Sequence, residues 1–249
     1  MDETNQQVQV AESPPRENKW KKGAAGIISG VVFLIAKGKL LLLGLTKLST
    51  LVSMFGFFAV YWGLYGWAFA LGLVLSIYVH EMGHVIALRH YGIPASAPMF
   101  IPGLGAFIRM RALSISRVQD SRVGLAGPIY GFGAALAALL AYEITRAPSW
   151  AAIAHATAVM NLFNLIPIWQ LDGGRGVHSL TRGQRMILLA VCAGIWLVTR
   201  QGMLLLVGAG LAYRLFTRDD APEPDNTALM QFAGLLVALA TVVEFASLL

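Results

Sequence analysis

Long uninterrupted apolar runs restrict this chain to a fold built within a membrane. One run begins at Trp67 and continues to about His90, longer than the roughly 20 residues that a helix needs to cross the hydrocarbon core. Similar runs cover residues 40–62, about 123–142, 150–169 and about 228–248. These runs are continuous, whereas a β-barrel needs short strands of alternating polarity. With 57% hydrophobic and 13% charged residues, the sequence predicts an all-α polytopic membrane protein.

Shorter segments complete the predicted topology. Residues 186–198 and 203–216 flank a polar break at Arg200, which fits either two short helices joined by a turn or one long helix with an internal arginine. The apolar segment at residues 24–36 is too short to span the membrane, so an interfacial or re-entrant helix is predicted there. A disordered polar tail is expected before it, over residues 1–22. In total, the sequence predicts about six or seven helices.

Positive charge falls mainly at one end of the apolar runs. With the exception of Lys47, Arg146 and Arg200, every Lys and Arg is assigned to one membrane face, and the positive-inside rule makes this the cytoplasmic face. The net charge of +6 therefore indicates membrane orientation, and nucleic acid is not expected as a partner. The single cysteine, Cys192, lies in an apolar run and is expected to pack there.

Glycine and proline mark the breaks between predicted elements. Gly63 and Gly66 indicate the turn after the first span. Several prolines and glycines within residues 92–118 forbid a continuous helix, and residues 99–101 and 106–108 flank a Pro-Gly-Leu-Gly turn. This pattern predicts a small β-hairpin or re-entrant loop whose exposed edge could accept an extended peptide by strand addition. An ordinary interfacial loop fits the sequence equally well.

Small residues open the third predicted span. Gly127 and Gly131 form a GxxxG pattern, which lets neighbouring helix backbones approach closely. The sequence therefore predicts that these two glycines serve helix packing rather than chemistry.

The motif HEMGH occupies residues 80–84, near the end of the run that begins at Trp67. Residues four apart on a helix stand over one another, so the imidazoles of His80 and His84 can reach one zinc ion at about 2.0–2.1 Å. In this HExxH arrangement, Glu81 is the general base for a water bound to the zinc. Ionisable groups are costly inside a membrane, so their presence in a predicted span indicates a functional site.

A catalytic zinc site usually has three protein ligands, and acidic residues are scarce near the predicted spans. The candidates within or bordering the spans are Glu81, Glu143, Asp172 and Glu244. Glu143 and Glu244 are expected at the outer face, whereas Asp172 falls at the cytoplasmic end of the fourth predicted span. Pro167 is expected to free the carbonyl of Phe163 and loosen that helix, and two following glycines permit a turn toward the histidines.

Together, HEMGH in one span and the pattern NxxPxxxLDG at residues 164–173 resemble the site-2 protease family of intramembrane zinc metalloproteases. The resemblance covers residues 67–175 and implies a three-helix catalytic core. The ligands that it implies for one zinc ion per chain are His80, His84 and Asp172. It also implies that Glu81 is the base and that Asn164 positions or stabilises the substrate carbonyl, as an amide donor near zinc can do.

The predicted organisation has four parts. Residues 1–22 form the tail, residues 23–66 an interfacial helix and the first span, residues 67–175 the metalloprotease core, and residues 176–249 the C-terminal transmembrane helices. His80 lies ten residues before His90, about 15 Å along the helix axis from the basic end. With the positive-inside rule, this predicts an active site in the cytoplasmic half of the lipid bilayer, in the inner membrane of a cell.

The implied function is hydrolysis of a peptide bond in or near the transmembrane segment of a single-span membrane-protein substrate. A proteolytically inactive zinc-binding scaffold and a metal or proton transporter remain as alternatives. A prenyl-protein protease would need a glutamate on a later helix as its third ligand. Asn161 lies one turn before Asn164 and could share its role, and His155 is expected to be structural.

Overall fold

The computed structural model describes residues 52–94, 99–101, 105–107 and 115–249. The helices in these residues are α1 (Val52–Tyr65), α2 (Trp67–His90), α3 (Arg117–Thr145), α4 (Pro148–Asn164), α5 (Asp172–Gly176), α6 (Arg182–Thr199), α7 (Gly202–Phe216) and α8 (Asn226–Ser247). The strands are β1 (Met99–Ile101) and β2 (Gly105–Phe107). This arrangement confirms the predicted all-α polytopic fold. The predicted tail, the predicted interfacial helix and the first part of the first predicted span lie outside the described residues.

Four of these helices, α2, α3, α6 and α8, are long and apolar enough to cross a membrane. The helices α1 and α7 are apolar but shorter, and α4 has 17 residues. Such a set of apolar helices defines an integral, multi-pass membrane protein.

The turn between α1 and α2 lies at Gly66. Its φ of 85° falls in the left-handed region, which glycine adopts without steric cost. Gly63 lies inside α1, so its predicted part in the turn is wrong. One left-handed residue is enough to separate the two helices. The bounds of α2 agree with the predicted second span.

A capping box sets the start of α3, which comes earlier than the predicted start near Val123. The Ser116 hydroxyl accepts a hydrogen bond from the Gln119 backbone N–H, and the Gln119 side chain accepts one from the Ser116 N–H. Hydropathy alone assigns this polar stretch to a loop, because the cap stabilises the helix through hydrogen bonds rather than apolar burial.

The end of α4 differs from the prediction. The helix ends at Asn164 instead of continuing to residue 169, and Trp169 has a left-handed φ of 48°. The prediction that Pro167 frees the carbonyl of Phe163 is also wrong, because the Ile166 N–H donates to that oxygen at 3.0 Å. A tighter last turn therefore satisfies the carbonyl before the chain leaves the helix.

The polar break at Arg200 separates two helices. Arg200 has a φ of 58° and caps α6 in the left-handed conformation, and α7 begins two positions later at Gly202. The side chain of Gln201 donates to Glu244 at 2.7 Å and thereby ties this turn to α8. Of the two arrangements that the sequence allows, the structure has two short helices joined by a turn.

The predicted β-hairpin is present after α2. Its strands pair antiparallel, with Met99 opposite Phe107 and Ile101 opposite Gly105. The second strand is Gly105–Phe107, one position earlier than predicted. The tip of the hairpin and the segments that flank it lie outside the described residues.

The largest apolar cluster joins α3, α4, α6, α7 and α8 around the segment that carries α5. Its fully buried members include Leu125, Leu162, Leu165 and Phe232, and Cys192 packs among them as predicted. A smaller cluster attaches α1 to α2 and α4. The connection from α4 to α6 is therefore held inside the helical core rather than exposed as a surface loop.

Two arginines fix the backbone of α5 and the residues just after it. Arg185, which is fully buried, donates to the Val177 carbonyl oxygen at 3.2 Å and to Asp219 Oδ1 at 2.9 Å. Arg214 donates to the Gly174 carbonyl oxygen at 3.0 Å and pairs with Asp219 Oδ2 at 2.6 Å. Asp219 thus joins two arginines that bond to this backbone, so the placement of α5 depends on α6 and α7.

Protonation of Asp219 is expected to weaken this network. Burial by itself raises the pKa of Asp219, but hydrogen bonds from Thr217 and Arg185 and the charge of Arg214 outweigh burial and lower the pKa to about 2. The ordinary value is 3.8, so the carboxylate is more acidic in the folded protein than in the unfolded chain. Its stabilising contribution is therefore complete above about pH 4 and is lost as the pH falls toward about 2.

We expect Asp219→Asn to lower the free energy of unfolding near pH 7 by about 1 kcal/mol, a value reduced because the carboxylate is 37% exposed. The difference between wild type and variant should shrink as the pH falls from about 4 to about 2. Unfolding of metal-free protein in detergent micelles, followed by circular dichroism, measures it. Asp220→Asn is the matched control, since its side chain forms no ion pair within the described part of the chain. If the difference in the free energy of unfolding between wild type and Asp219→Asn did not change with pH, the stabilising role of the Asp219 carboxylate would be contradicted.

Candidate metal centre

Three buried side chains from two distant parts of the chain meet between α2, α3 and α5. His80 and His84 lie one turn apart on α2, and Asp172 is the first residue of α5. The Nε2 atoms of the two histidines are 3.2 Å apart. Asp172 places Oδ2 3.1 Å from His80 Nε2 and Oδ1 3.1 Å from His84 Nε2. All three residues are at least nine-tenths buried.

The spacing of these donor atoms fits a single zinc ion. Two atoms bound to one tetrahedral zinc at about 2.0–2.1 Å lie about 3.3 Å apart, close to the 3.1–3.2 Å separations in the protein. Two imidazole nitrogens and one carboxylate oxygen form a donor set that leaves a fourth position for water or substrate. Within the described residues, this is the group of His, Cys, Asp and Glu side chains whose donor atoms come close enough for one ion.

The far sides of both imidazoles are held by hydrogen bonds. His84 Nδ1 lies 2.8 Å from the Val123 carbonyl oxygen, which requires the proton on Nδ1. His80 Nδ1 lies 2.8 Å from Asn161 Oδ1, and Asn161 Nδ2 donates in turn to the Thr157 carbonyl oxygen at 2.8 Å. With both Nδ1 atoms protonated, the Nε2 lone pairs are directed at the space beside Asp172. Such outer hydrogen bonds fix the orientation of metal-binding histidines.

Two glycines on α3 make room for this arrangement. A Cβ atom at Gly127 would lie 2.8 Å from His80 Nε2 and closer still to His84 Nε2. At Gly131, it would overlap the side-chain amide of Asn161. The sequence assigned this GxxxG pattern to packing rather than chemistry, but the backbone of α3 here approaches the polar groups of the candidate centre. The two glycines therefore serve both helix packing and the formation of the candidate centre.

Glu81 and Asn164 border a cavity that reaches the candidate centre. The cavity has a volume of about 420 Å³, and His80, Glu81 and Asn164 all line it. Asn164 Nδ2 lies 3.3 Å from His80 Nε2, and Glu81 is only 4% exposed. The predicted base and the predicted carbonyl-stabilising amide are therefore brought together beside the three candidate ligands.

The other acidic and histidine candidates lie elsewhere. Glu143 pairs with Arg146 at 2.7 Å on an exposed surface, and Glu244 accepts a hydrogen bond from Gln201. His155 contacts Ser247 on α8, with 3.2 Å between Nδ1 and Oγ. Each of these groups has a partner away from the candidate centre. The sequence analysis likewise does not assign them to the metal site.

Three features of the centre go beyond what the sequence predicts. The sequence leaves the role of Asn161 open, gives no role to the Val123 carbonyl, and predicts only packing for Gly127. The signal for Asn161 was present, because it lies one turn before Asn164 on α4 and so shares its face. The other two depend on how closely α3 approaches α2, which no local pattern encodes.

The helices and the buried His-His-Asp group define a multi-pass membrane protein with a potential metal site in its helical core. Residues 68–147 match the model of Peptidase family M50, to which the site-2 proteases belong. The chain thus contains a segment that matches Peptidase family M50, and the resemblance to the site-2 proteases is confirmed. The matched residues include His80, Glu81 and His84 but end before Asn164 and Asp172.

Two curated relatives are also similar. The zinc metalloprotease MJ0392 of Methanocaldococcus jannaschii is 26% identical over 113 residues, which cover 43% of this chain and 32% of the relative. The probable chloroplastic zinc metalloprotease EGY2 of Arabidopsis thaliana is 33% identical over 72 residues, which cover 27% of this chain and 13% of the relative. The similarity therefore spans about a third of the archaeal protein and a smaller part of the plant protein.

Proposed function

We propose that this protein is an intramembrane zinc metalloprotease that hydrolyses a peptide bond in or near the transmembrane segment of a single-span membrane protein. The observation that carries the proposal is the buried triangle of His80, His84 and Asp172, with Glu81 and Asn164 beside it. Two of its three members lie on α2, which is long and apolar enough to cross a membrane. The names of the two relatives support zinc and proteolysis. Both relatives are longer, so the activity of the whole protein is part of the proposal.

The chain's own residues have distinct roles in this reaction. His80, His84 and Asp172 hold one zinc ion, which supplies a Lewis acid that polarises a carbonyl and makes water acidic near pH 7. Glu81 accepts the proton of the attacking water and then delivers it to the leaving amine. The side-chain amide of Asn164 donates to the scissile carbonyl oxygen as negative charge develops there.

The proposed active site lies in the cytoplasmic half of an inner membrane, and the distribution of arginines supports this part of the proposal. Hydrogen bonds and ion pairs from arginines to aspartates join the start of α3, α5, the start of α6 and the end of α7 at one end of the helices. These arginines are Arg117, Arg122, Arg175, Arg185 and Arg214. Arg146 and Arg200 follow the opposite ends of α3 and α6. The positive-inside rule assigns the arginine-rich end to the cytoplasm, and Asp172 lies near this end.

Reconstitution of the purified protein with zinc and a single-span substrate tests the proposal. We expect cleavage that a chelator abolishes and that stoichiometric zinc restores, because the three proposed ligands hold the metal reversibly. Zinc binding without cleavage of any membrane substrate would favour the inactive scaffold. Zinc flux into sealed vesicles would favour a transporter.

Helix-breaking residues in the substrate are expected to accelerate cleavage. A transmembrane helix buries its carbonyls in its own hydrogen bonds, so the substrate must unwind before attack, and the edge of the β1–β2 hairpin could then hold the extended strand. Proline or glycine beside the scissile bond should raise the rate, since a proline alone destabilises a helix by about 3 kcal/mol. The same substitution several turns away serves as the control. Equal rates for both substrates would contradict unwinding as a limiting step.

Substitution of Asn161 and of Asn164 on α4 should affect different properties, zinc affinity in the first case and kcat in the second. Asn161→Ala removes the hydrogen bond to His80 Nδ1 and is expected to weaken zinc affinity by about 10–100-fold. Asn164→Ala should leave zinc affinity nearly unchanged and lower kcat by about 100-fold or more, as expected for an oxyanion donor. Competition with a chromophoric chelator measures affinity, and single-turnover cleavage measures the rate. Loss of zinc in both variants to the same degree would contradict the separate roles.

A further inference from the structure

The cavity at the candidate centre extends well away from it. Its volume is about 420 Å³, and its walls come from α1, α2, α4 and Met203 of α7. Bulky apolar side chains dominate the part remote from the metal site, including Phe57, Tyr61, Phe69, Leu73 and Met160. We call this part the apolar groove. It ends at His80, Glu81 and Asn164, the groups to which the proposed reaction assigns its chemistry.

The apolar groove runs along one face of α2. Phe69, Leu73, Ile77 and Glu81 are spaced four residues apart and all line the cavity, so they form a row along the helix. At 1.5 Å per residue, the row from Phe69 to Glu81 is about 18 Å long. An extended peptide advances about 3.3 Å per residue, so the groove has the length of about five extended residues.

The lining of the groove selects against charge. Apart from the hydroxyl groups of Tyr61 and Tyr65, the polar side chains that line it among the described residues lie at the catalytic end. Phe57 and Tyr61 stack with 4.5 Å between ring centroids, which makes one wall a continuous aromatic surface. A charged side chain placed there would lose its hydration without gaining a counter-charge, which is strongly unfavourable.

The wall that α4 provides includes one small residue, Ala156. Ala156 and Met160 line the cavity and pack against the cluster that contains Phe57, Leu73 and Ile77. A larger side chain at position 156 would enter the groove at a point remote from the zinc ligands. The width of the groove, and hence the size of side chain that it admits, is therefore adjustable without changing the candidate centre.

We propose that the apolar groove binds an uncharged, apolar stretch of up to about five substrate residues on one side of the scissile bond. Ala156 is the specificity-determining residue that admits large side chains there. The occupant is a substrate segment rather than a lipid chain because the groove is continuous with Glu81 and Asn164, so that whatever fills it is delivered to the reacting groups. This inference rests on the proposed proteolytic function and adds the class of sequence that the site accepts.

The test uses the reconstituted, zinc-loaded protein with a series of single-span substrates. The substrates carry Leu, Phe, Ala or Asp at one of the five positions on either side of the scissile bond. Each is assayed with wild type, with Ala156→Trp and with Ala152→Trp. Ala152 lies one turn before Ala156 on α4, is exposed and does not line the cavity, so Ala152→Trp is the matched control. Zinc content and melting temperature are measured for each protein.

With wild type, Asp on the side of the scissile bond that occupies the groove should lower kcat/KM by about 100-fold or more. Asp on the other side should lower kcat/KM much less. Ala156→Trp should lower kcat/KM at least about 10-fold for substrates with Leu or Phe in the groove and leave substrates with Ala nearly unchanged. Ala152→Trp should behave as wild type. A purely structural role of Ala156 would lower kcat/KM for all substrates and would not produce this selective loss for large side chains.

Three outcomes overturn the inference while wild type still cleaves. They are equal tolerance of Asp on both sides, an equal loss for Ala and Phe substrates in Ala156→Trp, and an equal gain for all substrates, which indicates that a lipid chain had been displaced. If wild type cleaves no substrate in the series although it binds zinc, the proposed function fails and this inference fails with it.

Discussion

Glu81→Gln should leave zinc bound and lower the rate of cleavage by about 10²–10⁴-fold. Glu81 is buried and lines the same cavity as His80 and Asn164, as expected of a base that acts on the attacking water. Glutamine preserves the size of the side chain but cannot take up a proton, so it removes the general base and not the ligands. Zinc per chain and single-turnover cleavage of a tethered single-span substrate measure the two effects separately.

Glu143→Gln is the matched control for this variant. Its carboxylate pairs with Arg146 on an exposed surface, so the substitution should change neither zinc content nor rate. Unchanged cleavage by Glu81→Gln would refute the assignment of the base. Loss of zinc from that variant would instead indicate that Glu81 is a ligand. A comparison of membrane-protein fragments in cells with wild type and with Glu81→Gln would identify natural substrates.

Gly127→Ala should abolish stoichiometric zinc binding and, with it, cleavage. The added methyl group would overlap His84 Nε2 and lie 2.8 Å from His80 Nε2, so it would occupy the space between the candidate ligands. The backbone of α3 cannot retreat without disturbing its contacts with α2, and overpacking of this kind costs about 1–3 kcal/mol even where no metal is displaced. Metal analysis of purified protein and its melting temperature measure the effect.

Gly133→Ala provides the comparison on the same helix. A Cβ atom at Gly133 meets nothing within 4 Å, so this variant should bind zinc and cleave as wild type does. The added methyl group also favours helix formation in α3. If Gly127→Ala retained one zinc per chain with normal affinity, the candidate centre could not have the geometry described here.

Local patterns in the sequence were enough to locate most of the candidate centre. Two histidines four apart meet on one face because a helix has 3.6 residues per turn, and this holds wherever the helix lies. Asp172 follows from elimination among few acidic residues. The prolines and glycines after α2 allow either a hairpin or an ordinary loop, and the structure has the hairpin. The family match supports the motif on α2, although it does not extend to Asp172.

Hydrogen bonds decided the element boundaries that hydropathy missed. Ser116 caps α3 within a polar stretch, and the Ile166 N–H satisfies the carbonyl that Pro167 was expected to free. A capping bond depends on the conformation of a few residues rather than on their apolar character, so a hydropathy pattern locates a span more securely than its ends.

The sequence by itself determined the membrane class, the helix that carries His80 and His84, and the identity of the third candidate ligand. Only the tertiary structure decided that Asn161 orients His80, that Gly127 makes room for both imidazoles, and that an apolar groove leads to Glu81. The physical reason is the range of the interactions. Helical periodicity acts over four residues, whereas the contact of Asn161 with His80 joins residues 81 positions apart, and its distance depends on how the whole helical core packs.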